Sequence, residues 1–326
     1  MSKTALITGI TGQDGYHLTE YLLNLDYKVF GLSNGQRQAA GEKFLLEFPN
    51  VTLIKGDLTD ISSLAHALEI AQPDEVYNLG AISFVGMSFK QPEMTANITG
   101  LGTLRLLDAI RMLGMSEKVK MYQASSSEMF GKVRETPQNE ETPFHPRSPY
   151  GVAKTFAHYT CVNYREAYGQ FDSCGILFNH EGERRGYEFV TRKISSTVAR
   201  IKLGLVSELR LGTLSPQRDW GYAGDYVKAM HLMLQTEKPD DFVIATGETH
   251  SVGDFVDLAF DLVGIKNGKE KYVKIDSEFA RPAEVDLLIG DSSKAQKELG
   301  WQPEVNFSKL VEKMVENDLR IESGKR

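Results

Sequence analysis

Ala5-Leu6-Ile7-Thr8-Gly9-Ile10-Thr11-Gly12-Gln13-Asp14-Gly15 is a short apolar run that breaks into glycines, and Leu18, Tyr21, Leu22 and Leu25 follow it at helical spacing. A strand, a glycine turn and a helix form the setting in which such glycines cradle a dinucleotide. Gly9 allows the tight turn, Gly12 lets the backbone approach a pyrophosphate, and Gly15 permits close helix packing. The helix N-terminus then faces the phosphates. The spacing is G-x-x-G-x-x-G, not the commoner G-x-G-x-x-G.

Outward from this turn the pattern repeats. Lys28 to Leu32 reads as a second strand. A NAD site places Asp or Glu near its end for the ribose 2′-hydroxyl. Here Ser33-Asn34-Gly35-Gln36-Arg37 stands instead, without an acid and with one arginine, which favours NADP over NAD. Val51 to Lys55 is a third strand, followed by Asp57, a candidate acceptor for the adenine amino group, and by Thr59 or Asp60 as a helix cap. Glu75 to Leu79 is a fourth strand, with Gly80-Ala81 bringing backbone close to the cofactor. Ile98 to Leu113 is a long helical pattern. Lys118 to Ala124 is a fifth strand and Ser173 to Phe178 a sixth, after which Asn179 to Gly186 reads as a polar loop.

The expected fold is therefore α/β, a Rossmann-type doubly wound parallel sheet covered on both faces. Beyond it the rhythm changes. Helices are expected over Phe189–Leu203, Ala223–Leu234, Val252–Leu262 (capped by Ser251), Ser293–Leu299 and Phe307–Leu319, with short strands at Glu208–Leu211 and Phe242–Ala245. Residues 1–178 are expected to form the dinucleotide-binding domain and 179–326 mainly a smaller, interleaved α/β substrate lobe. A segment of about 213–250 returns to the first domain.

The chain has 326 residues, 41% hydrophobic and 25% charged, enough to bury a large core. Its net charge of −7 argues against nucleic acid or an acidic membrane as partner. Cys161 and Cys174 lack metal-ligand spacing and read as reduced, partly buried thiols, and no metal is expected. There is no signal-peptide pattern and no apolar run of membrane length, so the expected setting is cytoplasmic.

The chemistry concentrates between Ser125 and Lys154. Ser126 and Glu128 follow the fifth strand, and Tyr150 and Lys154 lie four residues apart, on one face if helical. A lysine cation beside a phenol favours the phenolate and lowers its pKa, so that Tyr150 can take a proton from a sugar hydroxyl. The stretch points to oxidation at an alcohol, with a carboxylate at hand for a second step.

These motifs resemble those of the extended short-chain dehydrogenase/reductases and, within them, of the GDP-mannose 4,6-dehydratase family. The likeness runs over G-I-T-G-Q-D-G at Gly9–Gly15, S-E-M-F-G at Ser127–Gly131, P-R-S-P-Y-G-V-A-K at Pro146–Lys154 and I-L-F-N-H-E at Ile176–Glu181. It continues through F-V-T-R-K at Phe189–Lys193, R-D-W-G at Arg218–Gly221 and R-P-A-E-V-D at Arg281–Asp286. The resemblance implies catalytic roles for Ser126 (where Thr is usual), Glu128, Tyr150 and Lys154. It implies cofactor contacts from Gly9, Thr11, Gly12, Gln13, Asp14, Gly15, Arg37, Asp57, Leu58, Leu79, Ala81, Ser83, Tyr150, Lys154, His180 and Arg185. Ser83, Asn179, Val190, Lys193, Arg218, Arg281 and Glu284 fall on nucleotide-sugar positions. A GDP-sugar carries a diphosphate, which Arg218 and Arg281 would grip by charge-assisted bonds.

The implied reaction is oxidation at C4 by NADP, loss of water across C5 and C6, and return of hydride to C6, in a homodimer or homotetramer. Three departures keep alternatives open. Only one Arg follows the second strand, Ile82 stands where Gln is usual, and Gly182-Glu183 stand where Ser-Pro is usual. A GDP-manno-heptose is a competing substrate. An epimerase, reductase or decarboxylase of the same fold is a competing activity, and an NADP-binding regulator without catalysis is a competing class.

Overall fold

The computed structural model describes residues 2–35, 38–279, 285 and 287–324. Strands β1 (Thr4–Thr8), β2 (Lys28–Ser33), β3 (Thr52–Lys55), β4 (Glu75–Asn78), β5 (Lys120–Ser126) and β6 (Phe171–Leu177) lie in one sheet. Its order is β3-β2-β1-β4-β5-β6, extended by a later strand beyond β6, and every pairing is parallel. This is the doubly wound arrangement, whose order reverses beside β1. Parallel strands buried on both faces read as near-continuous apolar runs, and β1 does so. Ala5 and Ile7 pack into one core and Leu6 into the other, as the two-residue period of a strand requires.

Helices α1 (Gln13–Asn24), α2 (Gln38–Glu47), α3 (Ile61–Ala71), α4 (Val85–Lys90), α5 (Pro92–Thr95), α6 (Leu101–Met112) and α7 (Pro149–Tyr168) connect these strands. A π-turn at Ala96–Gly100 joins α5 to α6, so the helical path to Met112 begins earlier than its periodicity suggested. Asp60 caps α3 by accepting from the Ser62 amide. Strand β5 runs two residues past Ala124, so Ser125 and Ser126 close the strand itself.

The expected loop after β6 contains a strand. Residues Asn179–Glu181 form β7, which pairs in parallel with β10 (Trp220–Tyr222). Polar side chains hid it, because what defines β7 is pairing with a segment some forty residues away. Helix α8 (Val190–Lys202), β8 (Leu209–Leu211) and β9 (Gln217–Arg218) belong to the second lobe. Helix α9 (Ala223–Gln235) then packs on the first core, and β11 (Asp241–Ile244) is the strand that pairs with β6. The chain leaves again through β12 (His250–Ser251), α10 (Val252–Leu262), α11 (Gly268–Tyr272), β13 (Val273–Ile275) and β14 (Leu287–Leu288). It ends with α12 (Ser293–Leu299) and α13 (Phe307–Glu322). Ser251 starts α10 with a reciprocal capping box to Asp254.

The second lobe has its own core, with Ile194 and Val198 of α8, Phe255 and Val256 of α10, and Val311 and Met314 of α13 all buried. Among the described residues, no helix is long and apolar enough to cross a membrane.

Candidate active site

The carboxyl ends of the parallel strands carry a buried polar floor. Thr8 donates its hydroxyl to Asn78 Oδ1 at 2.7 Å and accepts from the Gly80 amide at 2.9 Å. Asn78 Nδ2 donates to Gln123 at 2.7 Å. None of the three side chains was anticipated, since a polar residue at a strand end looks the same in sequence whatever it bonds.

The glycine turn stands above this floor. Gly9 has φ +68°, and a Cβ there would sit 2.9 Å from the Gly80 amide nitrogen. A Cβ on Gly15 would run into the Ile10 carbonyl. Gly12 is the N-cap of α1, so no side chain covers the first turn. Such a cradle, which a Cβ would fill, fits a dinucleotide pyrophosphate. Thr11 and Gln13 flank it. Leu79, Ala81 and Ser83 line the bend after β4, with Ala81 partly buried and Ser83 exposed. Ile82 donates its amide to Thr99 Oγ1 at 3.1 Å. Leu58 is buried, and Asp57 accepts from the Thr59 amide and hydroxyl at 2.8 and 2.7 Å. Arg37, Arg281 and Glu284 lie outside the described residues.

Asp14, in the first turn of α1, is half-buried and paired. Its Oδ2 lies 2.8 Å from His180 Nε2, while His180 Nδ1 lies 2.9 Å from the Phe178 carbonyl. Both partners are acceptors, an arrangement that favours the doubly protonated ring. Burial works against either charge, yet the mutual attraction wins. It holds the Asp14 carboxyl well below the usual range and raises His180 above its ordinary value. The His180 ring stacks on Tyr226 at 4.8 Å, and Gln13 Nε2 donates to the His180 carbonyl at 3.0 Å.

The four catalytic candidates meet at the end of β5. Ser126 caps the 3-10 turn of Ser127–Met129, accepting from the Glu128 amide at 3.2 Å. Ser148 caps α7 by accepting from the Gly151 amide, and Pro149 takes the first helical position. Tyr150 and Lys154 thus begin their helix directly over the turn. A Cβ on Gly151 would lie 2.7 Å from the Glu128 carbonyl, so α7 and the turn are in contact. Ser126, Glu128, Tyr150 and Lys154 are all buried. Lys154 Nζ lies 5.7 Å from the Tyr150 ring centre and donates to the Ala124 carbonyl at 2.5 Å.

The sign of the Tyr150 shift is opposite to the expected one. Burial, with a smaller push from Glu128, raises the phenol to about 12, although a side-chain hydrogen bond with Ser126 pulls it down. Lys154 does not reverse this, because burial brings its own ammonium down to about 8 and its proton is directed at Ala124. Desolvation outweighs the cation that the i, i+4 spacing supplies.

The remaining candidates divide. Arg185 ion-pairs with Glu181 at 2.8 Å and lies over the Phe189 ring. Its charge favours the ionised forms of Tyr150 and Asp14. Asn179, on β7, has a buried Oδ1 without a partner among the described residues, an orphan that suits a ligand. Val190 opens α8 and is exposed, and Lys193, one turn on, sits over Phe279 with its pKa lowered by burial. Arg218 is buried in β9 between β12 and β14 and donates to the Gln217 carbonyl. Glu181, which also accepts from Thr191 at 2.6 Å, holds Arg185 beside these candidates, a contact the sequence reading did not anticipate. Its place in the N-H-E block was the available signal.

The GDP-mannose 4,6 dehydratase family model matches residues 6–314. The chain is 54% identical over 329 residues to "GDP-mannose 4,6 dehydratase 2" of Arabidopsis thaliana, covering 98% of this chain and 87% of the relative. It is 51% identical over 348 residues to "GDP-mannose 4,6 dehydratase" of Dictyostelium discoideum, covering 99% and 98%. Among solved structures, RMD from Pseudomonas aeruginosa complexed with NADPH superimposes with a TM-score of 0.81 at 25% identity. It covers 98% of this chain and 99% of that one.

Proposed function

The chain belongs to the GDP-mannose 4,6-dehydratase family, and on that footing we propose that it is a lyase removing water from GDP-mannose to give GDP-4-keto-6-deoxymannose. The observation that carries the reading is the buried set Ser126, Glu128, Tyr150 and Lys154 at the end of β5, beside the glycine cradle. An alcohol oxidation needs the hydroxyl and the Tyr–Lys pair, and elimination needs a carboxylate as well. A nicotinamide dinucleotide suits the cradle, and NADP suits the acid-free end of β2. Gly9, Gly12, Gly15, Thr11 and Gln13 would hold its pyrophosphate and Asp57 its adenine. It supplies the hydride acceptor and donor.

The protein's own groups handle the protons. Tyr150 accepts the proton of the sugar 4-hydroxyl, and Ser126 holds the 4-oxygen and relays that proton. Lys154 would anchor the nicotinamide ribose. The new 4-keto group acidifies C5, and Glu128 removes the C5 proton. Glu128 or a neighbouring hydroxyl then protonates the departing C6 oxygen, which leaves as water. Asn179, Val190, Lys193 and Arg218, with Arg281 and Glu284, bind the nucleotide-sugar. The enzyme acts in the cytoplasm as a homodimer or homotetramer. Val152, Phe156 and Tyr159 stand exposed along one face of α7, which suits a second copy.

Mass spectrometry of products from GDP-mannose and a GDP-manno-heptose tests the proposal. A product lighter by one water from GDP-mannose is expected. Loss of carbon dioxide, an unchanged mass, or turnover of the heptose alone would refute it.

A further inference from the structure

We infer that Lys55, at the end of β3, is a cation that receives the adenosine 2′-phosphate of NADP. The inference rests on the NADP reading above and names the side chain behind it. Strands β2 and β3 end level, with Ser33 and Lys55 as register partners. Beyond Ser33 the chain turns through Gly35 at φ +73°, and the Lys55 stem runs beside it. A Cβ on Gly35 would lie 3.7 Å from Lys55 Cε. In doubly wound sheets the adenosine ribose sits off the end of the second strand, where the 2′ position is read.

A cavity of about 260 Å³ lies at this edge, lined by Asn34, Lys55, Gly56, Asp57, Asp60 and Ser63. Its other polar side chains are largely committed. Asp57 accepts twice from Thr59, and Asp60 accepts from the Ser62 amide at 3.0 Å. The Ser63 hydroxyl donates to the Asp60 carbonyl at 2.8 Å and accepts from the Asp57 amide at 2.9 Å. Lys55 is exposed, and its ammonium makes no hydrogen bond or ion pair with another described residue. It is the one cation among these lining residues. A 2′-phosphate brought beside Asp57 and Asp60 meets like charge and needs that cation, whereas a 2′-hydroxyl does not. Lys55 therefore acts on the choice between the two dinucleotides and leaves hydride transfer untouched.

Titrating the full-length protein with NADP⁺, NAD⁺, 2′,5′-ADP and 5′-AMP tests this, using Lys55→Met, which keeps the stem, and Lys55→Arg, which keeps the charge. Losing one charge-assisted hydrogen bond corresponds to about a tenfold loss or more. Lys55→Met is expected to weaken NADP⁺ and 2′,5′-ADP by that factor and to leave NAD⁺ and 5′-AMP within about twofold. Lys55→Arg should restore the preference. Equal losses on all four ligands, or unchanged NADP⁺ binding in Lys55→Met, would overturn the inference while the NADP reading stands. A wild-type protein that binds NAD⁺ as tightly as NADP⁺ would overturn both.

Discussion

At Tyr150 two effects of opposite sign meet. Burial lifts the phenol to about 12, and the hydrogen bond with Ser126 draws it down. A base held that high transfers protons only inside a prepared site, so its neighbours matter as much as the residue. Tyr150→Phe should abolish both oxidation and dehydration, a loss of at least about a hundredfold. Glu128→Gln should separate the steps. Mixing this variant with GDP-mannose in a stopped-flow instrument should show reduced nicotinamide accumulating, while product release falls by about a hundred- to ten-thousandfold. Wild-type turnover in Glu128→Gln would remove Glu128 from the mechanism.

On the scale of elements, the glycine turn and the β7 segment contrast. The turn was legible because its glycines answer a local backbone demand. At β7 the informative glycine is Gly182, just past the strand. A Cβ there would lie 3.5 Å from His17 Nε2 and 3.8 Å from Gln13 Oε1, both buried and without partners among the described residues. The departure from Ser at this position thus faces α1 and Tyr222. A serine Cβ there would make ordinary contacts, and its hydroxyl would be within reach of these atoms. Gly182→Ser is expected to stabilise the fold by about 1 kcal/mol, measured as a higher denaturant midpoint at unchanged slope. A lower midpoint would show that the two atoms are not reachable from this backbone.

Across the whole molecule, β7 is tied to α1 by the His180–Asp14 pair, which joins the second lobe to the cofactor turn. The Arg192–Asp318 pair does the equivalent inside the second lobe, linking α8 to α13. His180 is raised in the folded state. Its contribution is therefore complete below its unfolded pKa near 6.5 and is lost as pH rises through the folded value. Asp14 is lowered, so its share is complete above about 3.8 and fades as pH falls towards its folded value. The pair is fully effective between those limits. The gap in thermal midpoint between wild type and His180→Gln should be widest near pH 5 to 6 and narrow toward pH 9. A gap constant across that range would mean that His180 acts by packing on Tyr226 alone.

The doubly wound sheet was legible in the chain, because strand periodicity, glycine spacing and helix caps act over a few residues. So were Ser126, Glu128, Tyr150 and Lys154, whose two short motifs each span a strand end or a helical turn. What surrounds them is settled by the folded packing. The direction of the Tyr150 shift, the strand character of Asn179–Glu181, the His180–Asp14 pair and the exposure of Lys55 beside Gly35 all depend on segments distant in sequence. Desolvation and long-range pairing arise from the sum of everything packed around a group, and no local pattern of residues encodes that sum.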